Sequence, residues 1–142
     1  MKNFALTCFL LLATSVFAQQ VDQPFRTRIF NNEYRVFMVL NLYDADVVVP
    51  GQEVFGTMEG YLSKEGTNFC WLVVSSQMKS ERKATLLMAN DYGSEDLEAE
   101  LTLDNDSTYT LKQLSGSALK VVNKGKWQKL PRILTFTREK SL

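Results

Sequence analysis

Leu97, Ala99, Leu101 and Leu103 alternate with Glu98, Glu100 and Thr102. A period of two puts one set on a core face and the other in water, which predicts a half-buried β-strand. Thr108 to Leu114 alternates in the same way, with Tyr109 and Leu111 opposite Thr110 and Lys112. Asp104-Asn105-Asp106-Ser107 lies between the two runs and supplies a turn, so the pair reads as an antiparallel hairpin. Tyr34 to Tyr43 follows a different pattern. Val36, Met38, Leu40 and Leu42 fall on one face, and Phe37, Val39 and Tyr43 on the other. A strand buried on both sides, or bent between two sheets, carries apolar residues this way. The β-branched Val36 and Val39 favour strand over helix.

The remaining chain alternates between β-like runs and turn clusters. Asp44 to Val49 leads into the Pro50-Gly51 turn. Val54 to Leu62 contains Gly56 and Gly60, and glycine inside a strand marks a bulge or bend of the kind that curls a sheet. Phe69 to Ser76 is the most apolar run after residue 18, and Ala84 to Ala89 follows it across the charged segment Lys79 to Lys83. Asn90 to Asp96 and Ser115 to Ser117 are turns, Ala118 to Val122 a short strand, Lys124-Gly125-Lys126 a basic turn, and Ile133 to Thr137 a last strand after Pro131. About eight strands spaced roughly 8–12 residues apart predict an all-β fold, a single antiparallel barrel or sandwich. The best helical stretch, Ser75 to Thr85, is too polar to be more than a turn.

The first residues follow another logic. Lys2 precedes an apolar run from Phe4 to Phe17, and Val16 and Ala18 stand three and one residues before a cut at Gln19. That is the pattern of a cleaved secretory signal peptide over residues 1–18, too short to span a bilayer. A secreted or periplasmic location is expected. Residues 19–33 read as an N-terminal leader and residues 34–142 as the all-β domain. Beyond the signal there is no apolar run long enough for a transmembrane segment. Cleavage removes Cys8 and leaves Cys70 as the one thiol, so no internal disulfide staples the fold.

Composition narrows the chemistry. The 142 residues include 16 Lys+Arg, 16 Asp+Glu and no histidine. Zero net charge argues against a nucleic-acid partner, which calls for a net basic face. Without histidine there is no Ser-His-Asp or Cys-His catalysis and no His-ligated zinc. Cys70, between Phe69 and Trp71, reads as a buried, inert thiol. Ser76 and Lys79 have the spacing of a Ser-Lys pair but lie in a charged turn. Asp44 with Asp46, Glu95 with Asp96, and Asp104 with Asp106 are candidate acid pairs for hydrolysis. The turns holding Asn90, Asp91, Glu95 and Asp96, and Asp104 to Asp106, also offer oxygen ligands for calcium. Acids in turns more commonly bond to nearby backbone. The expectation is a protein that is not an enzyme and carries no cofactor.

Binding candidates remain. The doubly apolar strands suggest a curled sheet holding a small apolar ligand, with Phe37, Met38, Leu40, Met58, Tyr61, Leu86 and Met88 facing it. Tyr92 and the segment Lys126-Trp127-Gln128-Lys129 suggest a surface for a protein partner, as in an inhibitor, an immunity factor or an envelope-associated protein. Trp127 can instead plug one end of the barrel while Lys126 and Lys129 extend outward. Strand number and length over Tyr34 to Arg138 resemble the small lipocalin-like (calycin-like) barrels, and that resemblance implies a ligand-holding barrel. Lipocalins carry a Gly-x-Trp motif on their first strand, and Tyr34 to Tyr43 has none. The sequence reads as a secreted or periplasmic binding protein, with a protein-interaction module as the alternative and an acid-pair hydrolase as the third reading.

Overall fold

The computed structural model describes residues 23–139. The signal-peptide reading of Met1 to Ala18 lies outside the described residues. The strands are β1 (Arg26–Asn31), β2 (Val36–Asn41), β3 (Val47–Val48), β4 (Thr57–Met58), β5 (Gly60–Lys64), β6 (Cys70–Ser80), β7 (Lys83–Asn90), β8 (Asp96–Leu103), β9 (Thr108–Gly116), β10 (Lys120–Asn123), β11 (Lys126–Lys129) and β12 (Ile133–Arg138). Eight of them close an antiparallel barrel in the order β1-β12-β9-β8-β7-β6-β5-β2. The pairs β3–β4 and β10–β11 form separate two-stranded sheets. The architecture is thus a barrel, and closure leaves its wall without an open edge.

The barrel strands differ in part from the predicted ones. β1 lies inside residues 19–33, the segment expected to be a leader. Its pattern is weak because Ile29 and Asn31 are buried while Arg26 and Arg28 are exposed. It is nonetheless the closing strand, paired with β2 from Arg26↔Asn41 to Asn31↔Val36 and with β12 at Ile29↔Arg138. Ala118 to Val122, expected among the main strands, instead contributes β10 outside the barrel. The polar stretch Ser75 to Thr85 is neither helix nor long turn, because β6 runs on to Ser80 and β7 begins at Lys83.

One face of each strand fills the interior. Met38 pairs with Ile29 on one side and Leu62 on the other, and all three are fully buried. Trp71, Val73, Leu86, Met88, Leu97, Leu101, Leu111 and Phe136 join them in one continuous core. Each large side chain removed from water in this way contributes about 1.5–3 kcal/mol. Both barrel ends are plugged. At one end Phe25 packs edge-on against Tyr109 at 6.3 Å, and the Tyr109 hydroxyl donates to the Pro24 carbonyl at 2.5 Å. At the other end the β10–β11 hairpin buries Leu119, Val121 and Leu130 in the core. The Trp71 indole N–H anchors that hairpin by donating to the Lys120 carbonyl at 2.8 Å.

Turn chemistry sets how the loops leave the barrel. Lys124 and Gly125 have φ of 52° and 76°, as a two-residue hairpin turn with the twist of its flanking strands requires. Asn41, Asn90 and Asn31 are buried at strand ends, where their side chains replace missing backbone partners. Asn90 Oδ1 accepts from the Ser94 N–H at 3.0 Å, and Asn31 Oδ1 accepts from the Tyr34 N–H at 2.8 Å. The chain's Gly-x-Trp, Gly125 to Trp127, belongs to the capping hairpin rather than to a first barrel strand.

Candidate functional site: a wall cleft and an aromatic end

The outer face of the barrel carries the second layer of structure. Residues 42–59 leave β2, fold back over the outside of β5 and β6, and pair with themselves at Val47↔Met58 and Val48↔Thr57. Val49 from this flap is fully buried against Cys70 and Leu72, with Met58 and Tyr61 packed alongside. Cys70 and Leu72 alternate with the interior residues Trp71 and Val73, so β6 is apolar on both faces for a reason: one side meets the core and the other meets the flap.

Between the flap and the wall lies a cleft of about 480 Å³. Phe37, Tyr61, Val49 and Pro50 give it apolar surface, and Gln52, Ser63, Thr67 and Asn68 give it polar groups. Phe37 and Tyr61 meet edge to face with ring centroids 6.0 Å apart. The Arg28 guanidinium sits 4.4 Å from the Phe37 ring centroid and is paired with Glu139. Of the residues lining the cleft, none carries a formal charge at neutral pH. Burial raises the Tyr61 phenol above its ordinary value, and nearby Arg28 opposes the shift. Burial also pushes the Cys70 thiol up to about 11, with the Asp91 carboxylate adding to the rise. The thiol therefore stays protonated and contributes a small apolar surface rather than a nucleophile. The Cys70 thiol stands 4.0 Å from Asp91 Oδ2. Burial raises the Asp91 carboxyl, with hydrogen bonds from the Cys70 and Asp91 backbone opposing it.

A second cleft of about 390 Å³ adjoins the first, because Thr67 and Asn68 line both. Phe69, Tyr92, Val122, Lys124 and Gly125 complete its lining. Phe69 is the hub of this end. Its ring lies 4.9 Å from Trp127, 5.7 Å from Tyr92 and 6.3 Å from Trp71. Trp127 is 53% exposed and Tyr92 71% exposed, whereas Phe69 and Trp71 are buried. The Lys120 ammonium lies 5.2 Å from the Trp127 ring and is held by Glu95 at 2.9 Å.

The predicted residues thus separate into three places. Met38, Leu40, Leu86 and Met88 lie in the filled interior, at 0–2% exposure. Phe37 and Tyr61 were expected to face inward with them but stand on the outer wall, where they line the first cleft together. Met58 also lies outside, under the flap. Neither cleft is lined by residues of the core, apart from Phe69 and the partly buried Val122, which reach the second from the barrel end. Tyr92 and Trp127, far apart in sequence, are brought together through Phe69, with Lys126 and Lys129 exposed on the same hairpin. Sequence reasoning missed Phe69 as that hub and the Val54-Phe55 pair, which projects from the flap at 93% and 68% exposure. Consecutive apolar residues beside Pro50-Gly51 were the available signal for the pair.

The acidic turns are occupied locally. Asn41 donates to Asp46 at 2.8 Å and to Asp44 at 3.3 Å, and Thr110 donates to Asp104 at 2.5 Å. Among the described residues no group of three or more Cys, Asp or Glu is arranged to hold a metal ion, and no helix is long and apolar enough to cross a membrane. Comparison with known proteins found no matching family model, no matching curated protein and no matching solved structure.

Proposed function

We propose that this chain is a non-enzymatic binding protein, secreted or periplasmic, that takes a small ligand on the outside of its barrel wall. The observation that carries the reading is the cleft of about 480 Å³ between the flap and the Phe37–Tyr61 pair. Its volume falls in the range of small-molecule sites. The filled interior moves the ligand from inside the barrel to this outer site. The lining sets the ligand class: an uncharged, ring-bearing amphipathic molecule. A flat ring extends the edge-to-face arrangement of Phe37 and Tyr61, and hydroxyl or carbonyl groups meet Gln52, Thr67 and Asn68.

The test is a thermal-shift screen of neutral ring compounds, followed by calorimetry on the hits. Phe37→Ala is expected to abolish the shift, and the interior substitution Met88→Leu to preserve it. A screen in which no such compound stabilises the protein, or a hit that survives Phe37→Ala, would overturn the reading.

A second reading has its own observation. Trp127 and Tyr92 flank Phe69 in an exposed aromatic end with Lys124 and Lys126 beside it. Large apolar groups rimmed by polar ones are characteristic of protein-interaction surfaces.

A further inference from the structure

The flap and the capping hairpin are complementary in charge. From Val36 to Ser63 the chain contains Asp44, Asp46, Glu53 and Glu59 and no Lys or Arg. From Ser107 to Arg138 it contains Lys112, Lys120, Lys124, Lys126, Lys129, Arg132 and Arg138 and no Asp or Glu. The tip of the flap is a 3₁₀ turn, Glu53–Phe55, in which no residue is buried. Glu53 accepts a hydrogen bond from the Gly51 N–H at 3.1 Å and pairs with no cation among the described residues. Lys124 and Lys126 likewise pair with no carboxylate among the described residues.

We propose that the partner of the aromatic end is a second copy of this chain. The Val54-Phe55 tip of one copy enters the cleft formed by Phe69, Tyr92 and Lys124 of the other, and its Glu53 pairs with Lys124. The proposal rests on the second reading above, and names its partner. Shape and chemistry agree: an apolar pair of consecutive residues meets an aromatic-lined cleft of about 390 Å³, and an unpaired acid meets unpaired lysines. The site of contact also permits a closed symmetry. Pro50 to Gln52, just before the tip, line the first cleft, which shares Thr67 and Asn68 with the second. Tip and receiving cleft therefore lie on one side of the molecule. Two copies can then exchange both contacts about a two-fold axis, which closes the assembly as a dimer instead of extending it as a filament.

Sedimentation velocity on the purified protein across a wide concentration range tests this. A reversible dimer is expected, weakened as salt rises because the charge pairing is exposed. Phe55→Asp and Lys124→Glu alter exposed residues and should leave the fold intact, each weakening association by roughly tenfold or more. Glu53→Lys combined with Lys124→Glu should restore it. Mixing the Phe55→Asp and Lys124→Glu variants should give a heterodimer tighter than either homodimer, since one intact tip then meets one intact cleft. Acrylamide quenching separates this proposal from the reading beneath it. Trp127 is exposed and stands 4.9 Å from Phe69 of the receiving cleft, where an inserted tip covers it, and Trp71 is fully buried, so dilute protein should show one quenchable tryptophan that becomes protected on concentration. Quenching that stays the same from dilute to concentrated protein, or association unchanged by either single variant, overturns the self-association. A protein with no quenchable tryptophan at any dilution overturns the aromatic end as a recognition surface.

Discussion

Gly116 is the last residue of β9 before the chain leaves the barrel for the hairpin that carries Trp127. It has φ of +89°, and a Cβ built there would lie 2.6 Å from the Asp96 carbonyl oxygen and 2.7 Å from the Leu97 Cα. Gly125, in the hairpin turn, also has positive φ, +76°, but a Cβ there meets nothing within 4 Å. Substituting alanine at each site isolates the close approach from the backbone conformation. Both variants pay a left-handed backbone penalty of about 1–2 kcal/mol. At Gly116 the β8 backbone must also retreat by about 0.7–0.8 Å to reach ordinary contact, an overpacking penalty of about 1–3 kcal/mol. The shift strains the hydrogen bond from the Ser117 N–H to the Asp96 carbonyl, 2.8 Å long, and a bond of this kind contributes about 1 kcal/mol. Gly116→Ala is therefore expected to lose about 3–6 kcal/mol and Gly125→Ala about 1–2 kcal/mol. With a urea slope of about 1.5 kcal/mol per molar, the first midpoint should fall by about 2–4 M and the second by about 1 M. Equilibrium urea unfolding followed by far-UV circular dichroism reads both. Equal midpoints for the two variants would refute the claim that backbone proximity between β8 and β9 makes glycine necessary at 116.

Other outcomes follow from the buried groups. Cys70 should react with an aromatic disulfide reagent at pH 8 far more slowly in the folded than in the unfolded protein, because a thiol raised from 9.0 to about 11 holds a thiolate fraction about a hundredfold smaller; equal rates in the two states would refute the burial argument. The same shift has a sign for stability: the Cys70 contribution is fully present below pH 9.0 and lost as pH rises from there to about 11, so Cys70→Ala should flatten the alkaline decline in stability over that window. Asp91 is also raised, so Asp91→Asn should leave stability unchanged in acid, where the carboxyl is protonated, and increase it at neutral pH; thermal melts at both pH values decide this. Trp71→Phe removes the indole N–H that holds the Lys120 carbonyl and should destabilise the protein by about 2–3 kcal/mol. Trp127 is then the remaining tryptophan after residue 18, and a red shift of its emission would report the loosened hairpin.

Legibility varied with how far a residue's role depends on its neighbours in sequence. The hairpin Leu97–Leu103 with Thr108–Leu114 was readable because alternation alone sorts its residues between core and water, and β8 and β9 keep that sorting. Tyr34 to Tyr43 was readable as a strand apolar on both faces, but the pattern could not say what covers each face. Interior layers cover Met38, and the wall cleft meets Phe37. β1 was missed because its pairing with β2 and β12, not its own apolar content, makes it a strand.

The sequence by itself determined an all-β fold, a core without disulfide staples after residue 18, and a chemistry without histidine. These depend on local periodicity and composition, which folding does not change. Only the tertiary structure decided that the sheet closes, that the interior is filled, and which side of the wall holds Phe37 and Tyr61. It alone joined Tyr92 to Trp127 through Phe69 and laid the flap over Cys70. Those outcomes depend on long-range register. A side chain's alternation specifies that it has two possible faces, and only closure of the barrel specifies which face is inside.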